Sequence, residues 1–189
     1  FLRSFDLKAI VIACGTVSTT ALDVLTHENA IPILGVVQPA AAAVARISKS
    51  GSIGVIGTKA TIRSGAYEAA IRALLPTAML TTRACPLLVP LVEDGRVQRG
   101  DPVTERVVEE YLAPVKAAGV DTLVLGCTHY PLLMDVISDY MGEGVTLIDT
   151  GEQAAMAVAA LLKQQNKLND PARAGHRRYY ASDSAEDFA

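Results

Sequence analysis

No C-x-x-C pair, no basic block and no long apolar run occurs in this 189-residue chain. The three cysteines, Cys14, Cys85 and Cys127, are odd in number and far apart. That argues against a disulfide framework and against a structural zinc site, and it suits a reducing, cytoplasmic setting. The net charge of −3, without clustered lysine or arginine, gives nucleic acid nothing to bind. No apolar run approaches the roughly 18 residues of a membrane span. An initiating methionine is lacking too, and residues 1–7 read as the end of a helix leading straight into a core strand. The N-terminal part of the natural protein is therefore expected to be absent, along with any segment that would carry a signal peptide.

What is present is a normal core composition, half hydrophobic and one fifth charged. The chain is organised around residues 121–131, D-T-L-V-L-G-C-T-H-Y-P. A short apolar run bounded by small residues reads as a buried strand of a parallel sheet. It delivers Cys127, Thr128 and His129 beyond the strand's carboxyl end, where ligands of such sheets sit. Residues 8–14, K-A-I-V-I-A-C, repeat the pattern and end in Cys14. Each copy is followed about twenty residues later by another buried strand (31–36 and 145–148) and then by an alanine-rich helix, at nearly the same offset throughout. The repeat predicts two related α/β lobes, each presenting one thiol.

Between the copies, the pattern predicts helices over 17–26 and 39–48, a buried strand over 52–56 and a polar loop over 57–61. A helix over 62–75 and a strand-like run over 85–92 follow. Asp101 as cap and Pro102 at the first helical position start a helix that should reach Ala118, kinked or split by Pro114. A helix over 131–141, a strand over 145–148, a helix over 152–165 and a last strand over 178–180 complete the reading. This alternation is that of an α/β fold with parallel sheets flanked by helices. The expected divisions are 1–38 (remainder of a truncated first lobe), 39–150 (second lobe) and 151–189 (helix and strand returning to the first lobe). The site should lie at the lobe interface.

Two matched thiols suit inversion of a carbon stereocentre, in which a base takes a proton from one face and an acid returns one to the other. Because the reaction runs both ways, the two groups should be alike. A thiol with an ordinary pKa of about 8.5 reaches either protonation state, and a helix start just after it lowers that value. The same helix starts offer N–H groups to a carboxylate. Cys85, between Ala84 and Pro86, reads as structural, and His27 and His176 lie in polar connections without a role. Thr16, Thr58, Thr61 and Thr128 are either helix caps or substrate contacts, and Glu93 is either a loop acid or a site residue.

The residues A-C-G-T at 13–16, 54–61 with Ser64 and Tyr67, P-L-V-E at 90–93, L-G-C-T-H-Y-P-L-L at 125–133 and L-I-D-T-G at 147–151 resemble the glutamate racemases of bacteria. The likeness covers most of the chain, with L-G-C-T-H-Y-P its most specific part. It implies two pseudosymmetric α/β lobes and a cofactor-independent interconversion of L- and D-glutamate that supplies peptidoglycan synthesis. Cys14 would act on the D-enantiomer and Cys127 on the L-enantiomer, with His129 assisting. Gly15, Thr16, Thr58, Thr61, Thr128 and Glu93 would bind substrate. No cofactor, metal, nucleic acid or membrane is implied, and a homodimer is compatible with the reading. The family usually has Cys-Asn-Thr at the first thiol, where Gly15 replaces the Asn here. Its N-terminal Asp-Ser and Pro-Tyr-Gly segments do not occur in this chain, which leaves the implied site incomplete and puts the activity of this polypeptide alone in question.

Three rivals stand beside this reading. Aspartate racemases share the fold and thiols but resemble G-C-T-E where this chain has His129. A non-catalytic amino-acid-binding relative is motivated by Gly15. A thiol redox protein would need Cys14 and Cys127 at disulfide distance.

Overall fold

The computed structural model describes residues 1–172 and 174–182. Its elements are β1 (Ile10–Ile12), α1 (Gly15–Thr20), α2 (Leu22–His27), β2 (Ile33–Gly35), α3 (Val37–Ile47), β3 (Ser52–Gly57), α4 (Lys59–Ser64) and α5 (Ala66–Leu74). There follow β4 (Met79–Ala84), α6 (Leu88–Glu93), α7 (Pro102–Ala117), β5 (Thr122–Leu125), α8 (Met134–Met141), β6 (Thr146–Asp149) and α9 (Thr150–Gln164).

Four parallel strands in the order β4-β3-β5-β6 form the larger sheet, and β1 pairs with β2 in a separate parallel pair. Strands β3 and β5 are buried along their whole length, which is why they read as continuous apolar runs. Their side chains alternate between two apolar layers. Ile53, Val55, Val124 and Ile148 join Val37, Val44 and Ile71 of α3 and α5 on one face. Ile56, Leu123 and Leu125 join Leu88, Val108, Leu112 and Ile137 of α6, α7 and α8 on the other. Burying such a side chain contributes about 1.5–3 kcal/mol before conformational entropy is subtracted.

From β3 the chain crosses to β4 on one side, and from β5 it crosses to β6 on the other. The topological switch point therefore lies between the carboxyl ends of β3 and β5, where open parallel sheets bind their ligands. Those ends carry Gly57-Thr58 and Gly126-Cys127.

The repeat read from the sequence is present in three dimensions. Cys14 and Cys127, the strand starts Ile33 and Thr146, and the helix starts Val37 and Thr150 are each separated by the same 113 positions. Both units place a parallel strand beside the thiol strand.

Several local expectations are corrected. The strand expected at 85–92 lies earlier, at Met79–Ala84, and the region with two prolines turns into α6. Pro86 and Pro90 cannot donate to a strand ladder, whereas the first turn of a helix leaves N–H groups unpaired and tolerates Pro90. Strand β4 is an edge strand of polar Thr81, Thr82 and Arg83, so it carries no buried apolar signature. The helix expected from Ile62 to Leu75 is two helices broken at Gly65, whose φ of 66° is the left-handed conformation that glycine adopts cheaply. Residues 17–26 likewise divide into α1 and α2 at Ala21.

Pro114 does not split α7, which runs unbroken through its last turn. The carbonyl left without a donor belongs to Glu110, an exposed residue. The N-terminal segment holds a short 3-10 turn, Leu2–Ser4. The 38/39 division falls inside the first turn of α3. The last strand expected at 178–180 is irregular chain, and the Tyr180 ring packs on Phe1 and Phe5, with centroids 4.9 and 5.8 Å away.

Candidate active site

The two thiol loops meet backbone to backbone. Cys14 is the residue before α1, with extended φ and ψ, and Gly15 follows it as the first helical residue. A Cβ atom on Gly15 would collide with the carbonyl oxygen of Gly126, and one on Gly126 would lie 2.6 Å from the carbonyl oxygen of Ile56. Both positions require glycine for close approach. Gly15 also lies against Thr61, whose Oγ1 would be 3.6 Å from that Cβ.

Beside this contact the hydroxyls of Thr16, Thr58 and Thr61 form a triangle. Thr16 Oγ1 lies 3.0 Å from that of Thr58 and 3.3 Å from that of Thr61, and Thr58 donates to Thr61 at 3.1 Å. Thr58 also caps α4, accepting from the Thr61 N–H at 3.2 Å. Thr58 is therefore a helix cap, while Thr16 and Thr61 join it through their hydroxyls. The cluster ties the loop after β3 to the start of α1.

Cys127 follows buried β5 and is itself buried, whereas Cys14 is exposed. Its Sγ lies 3.7 Å from Nδ1 of His129, and Thr128 Oγ1 is 3.4 Å from the same nitrogen. On the far side of the ring, His129 Nε2 lies 3.4 Å from Oε1 of Glu93 at the end of α6. Thiol, imidazole and carboxylate thus stand in a row. Burial pushes the Cys127 thiol up from its ordinary value; hydrogen bonds from the His129 N–H and the Thr128 hydroxyl oppose this, and the neighbouring Cys14 and Glu93 charges add to it.

All nine residues expected at the site fall around the β3–β5 switch point. Glu93 stands against His129, which the spacing could not indicate because 36 positions separate them. Cys85 is apart from them: it is fully buried in the α7-side core, its thiol directed at the Arg83 carbonyl at 3.6 Å. Tyr67, which the resemblance includes without assigning it a role, also lies at this junction. Its ring packs on Gly126, and burial pushes its phenol well above the ordinary value, opposed by a hydrogen bond with Thr150. The signal available was weak, since a tyrosine near a helix start is usually core. Among the described residues no cluster of His, Cys, Asp and Glu could hold a metal ion, and no helix is long and apolar enough to cross a membrane.

The family model described as Asp/Glu/Hydantoin racemase matches residues 2–158. The chain belongs to that family. It is 44% identical over 188 residues to a glutamate racemase of Geobacter metallireducens, an alignment that covers all of this chain and 69% of the relative. It is also 44% identical to one of Lactiplantibacillus plantarum, of which it covers 68%. A glutamate racemase isoform of Bacillus anthracis superposes with a TM-score of 0.83 at 39% identity, over 90% of this chain and 63% of that one. A glutamate racemase of Francisella tularensis in complex with D-glutamate gives 0.81 at 35% identity, over 89% and 62%. The chain thus spans about two thirds of the length of the curated relatives and somewhat less of these solved chains.

Proposed function

We propose that the protein carrying this chain interconverts L- and D-glutamate by proton transfer between two thiols. The observation that carries the reading is the meeting of two equivalent thiol loops at Gly15 and Gly126, with one cysteine on each. The likeness to glutamate racemases, one of them in complex with D-glutamate, supports glutamate as the substrate. His129 in the position after Cys127-Thr128 favours glutamate over aspartate.

In the L-to-D direction the Cys127 thiolate takes the α-proton, forming an S–H bond as the C–H bond breaks. The electron pair left on the α-carbon delocalises into the carboxylate. The Cys14 thiol then gives its proton to the opposite face and becomes a thiolate. The return reaction exchanges the two roles. Proton exchange with solvent resets the pair between turnovers.

His129, 3.7 Å from Cys127, takes the thiol's proton before turnover and is held for that task by Glu93. The threonine triangle and the N–H groups at Gly15 and Thr16 supply donors for the charge that grows on the substrate carboxylate. Preorganised donors in a site shielded from water stabilise such charge far better than water does. Thr128, exposed beside His129, binds the substrate's polar end. The setting is cytoplasmic, and the product serves peptidoglycan synthesis.

The test is α-proton exchange of L-glutamate in D2O followed by NMR, with L-aspartate in parallel. The intact protein is compared with Cys14→Ser and Cys127→Ser. Exchange with glutamate, lost or made one-directional in each variant, is expected. Exchange with aspartate alone would move the substrate, and none with either would favour an amino-acid-binding relative.

A further inference from the structure

Cys127, His129 and Glu93 form a connected chain of side chains. The Cys127 Sγ lies 3.7 Å from His129 Nδ1, and His129 Nε2 lies 3.4 Å from Glu93 Oε1. A carboxylate only accepts, so the nitrogen facing it carries the proton, and the nitrogen facing the thiol is left as the acceptor. The Thr128 hydroxyl stands beside the pair, exposed and 3.4 Å from Nδ1. These residues follow β5 or end α6. All of them therefore belong to the part of the chain built on the larger sheet, and none comes from the β1–β2 pair.

The other two thiols lack this arrangement. Cys14 is exposed, and Cys85 is fully buried with its thiol directed at the Arg83 carbonyl. Among the described residues, no hydrogen bond joins an imidazole to either of them. Proton transfer between two thiols needs a cysteine on each loop. A nucleophile, a base within its reach and a third group that orients the base make up a different unit, and this one is complete without Cys14. A thiol held protonated by burial attacks carbon only when a base takes its proton, and His129 is placed to do so.

We propose that Cys127, His129 and Glu93 also perform acyl transfer to water, hydrolysing activated esters of short carboxylic acids. The Cys127 sulfur bonds to the ester carbonyl carbon as its proton passes to His129 Nδ1. The carbonyl oxygen, carrying the negative charge, accepts from the Thr128 hydroxyl. The C–O bond to the alcohol then breaks, and the leaving oxygen keeps the electron pair and takes the proton from His129. Water attacks the thioester, its proton going to His129; the C–S bond breaks and the thiolate regains that proton. Only 7% of the Cys127 surface is exposed, so the acyl group has to be small. The step needs no α-proton and no second thiol, so it stands apart from the interconversion of glutamate.

The experiment mixes the intact protein with p-nitrophenyl acetate, follows p-nitrophenolate release by stopped flow, and locates the acetyl group by peptide mass spectrometry after an acid quench. A burst stoichiometric with the protein, followed by steady turnover, is expected. The acetyl group should appear on buried Cys127 before exposed Cys14. His129→Gln, checked for folding by thermal melting, should slow the burst by about a hundredfold or more, the usual worth of a positioned base. Acetylation of Cys14 ahead of Cys127 in the parent would overturn the proposal, and that result needs no variant to fold. A burst without turnover, or an unchanged burst rate in folded His129→Gln, would overturn it too. Turnover through Cys127 in a protein that exchanges no α-proton of L-glutamate would sink the racemisation and keep this inference. Exchange with Cys14 acetylated first would do the reverse.

Discussion

His129 and Glu93 face each other across 3.4 Å, from the loop after β5 and the end of α6, on the side of the imidazole away from the Cys127 thiol. The carboxylate holds the ring with its other nitrogen toward the thiol. Glu93→Gln keeps the shape and removes the charge. It is expected to lower kcat for L-glutamate by about tenfold or more, the usual range for a partner that orients a working histidine, with a smaller change in KM. Steady-state kinetics in both directions check this. An equal loss in kcat and a matching rise in KM would place Glu93 in substrate binding instead.

Gly15→Ala would drive a methyl group into the Gly126 carbonyl, a backbone atom that cannot swing aside. Overpacking of this kind costs typically about 1–3 kcal/mol. The expected result is a lower urea midpoint together with a reduced exchange rate, because the two thiol loops are forced apart. A variant as stable and as active as the parent would show that the loops do not meet in solution.

Asp121 anchors the entry to β3. It accepts from the Ser48 hydroxyl at 2.8 Å, the Lys49 and Ser50 N–H groups at 2.7 and 2.6 Å, and the Ser50 and Thr122 hydroxyls at 2.8 Å. Partial burial alone would raise its proton affinity, but these donors together hold the carboxyl well below the usual carboxylate range. A depressed folded value means stability that is present above the unfolded value of about 4 and lost as pH falls below it. Asp121→Asn is expected to cost about 2 kcal/mol at pH 7, with the difference from the parent shrinking below pH 4. Urea titrations at several pH values measure it.

Cys85 has the opposite sign. Burial pushes its thiol up to about 12, against the lowering effect of Arg83. A raised folded value means stability that is complete below the unfolded value and lost as pH rises toward 12. Above pH 9 the unfolded chain releases this proton and the folded chain keeps it, a slope of about 1.4 kcal/mol per pH unit. Cys85→Ala should flatten the alkaline fall of the urea midpoint between pH 9 and 10.5. An unchanged slope would mean that the thiol ionises in place.

The sequence by itself determined β3 and β5, the strands buried on both faces, because each is a short run of apolar and small residues without a charged side chain. It determined the repeat and the two thiols, since a strand that must end in a small residue and a cysteine leaves a short, recognisable trace. It also marked the capped start of α7, where Asp101 and Pro102 satisfy the helix's free N–H groups locally. The edge strand β4 and the breaks at Ala21 and Gly65 were not legible, because one-sided pairing and single-residue interruptions leave the hydrophobic period nearly unchanged. Only the tertiary structure decided the partnerships: Glu93 with His129, Gly15 with Gly126, Tyr67 with Gly126. Each joins residues more than 30 positions apart, brought together by crossovers of a parallel sheet, and no local preference encodes such a meeting.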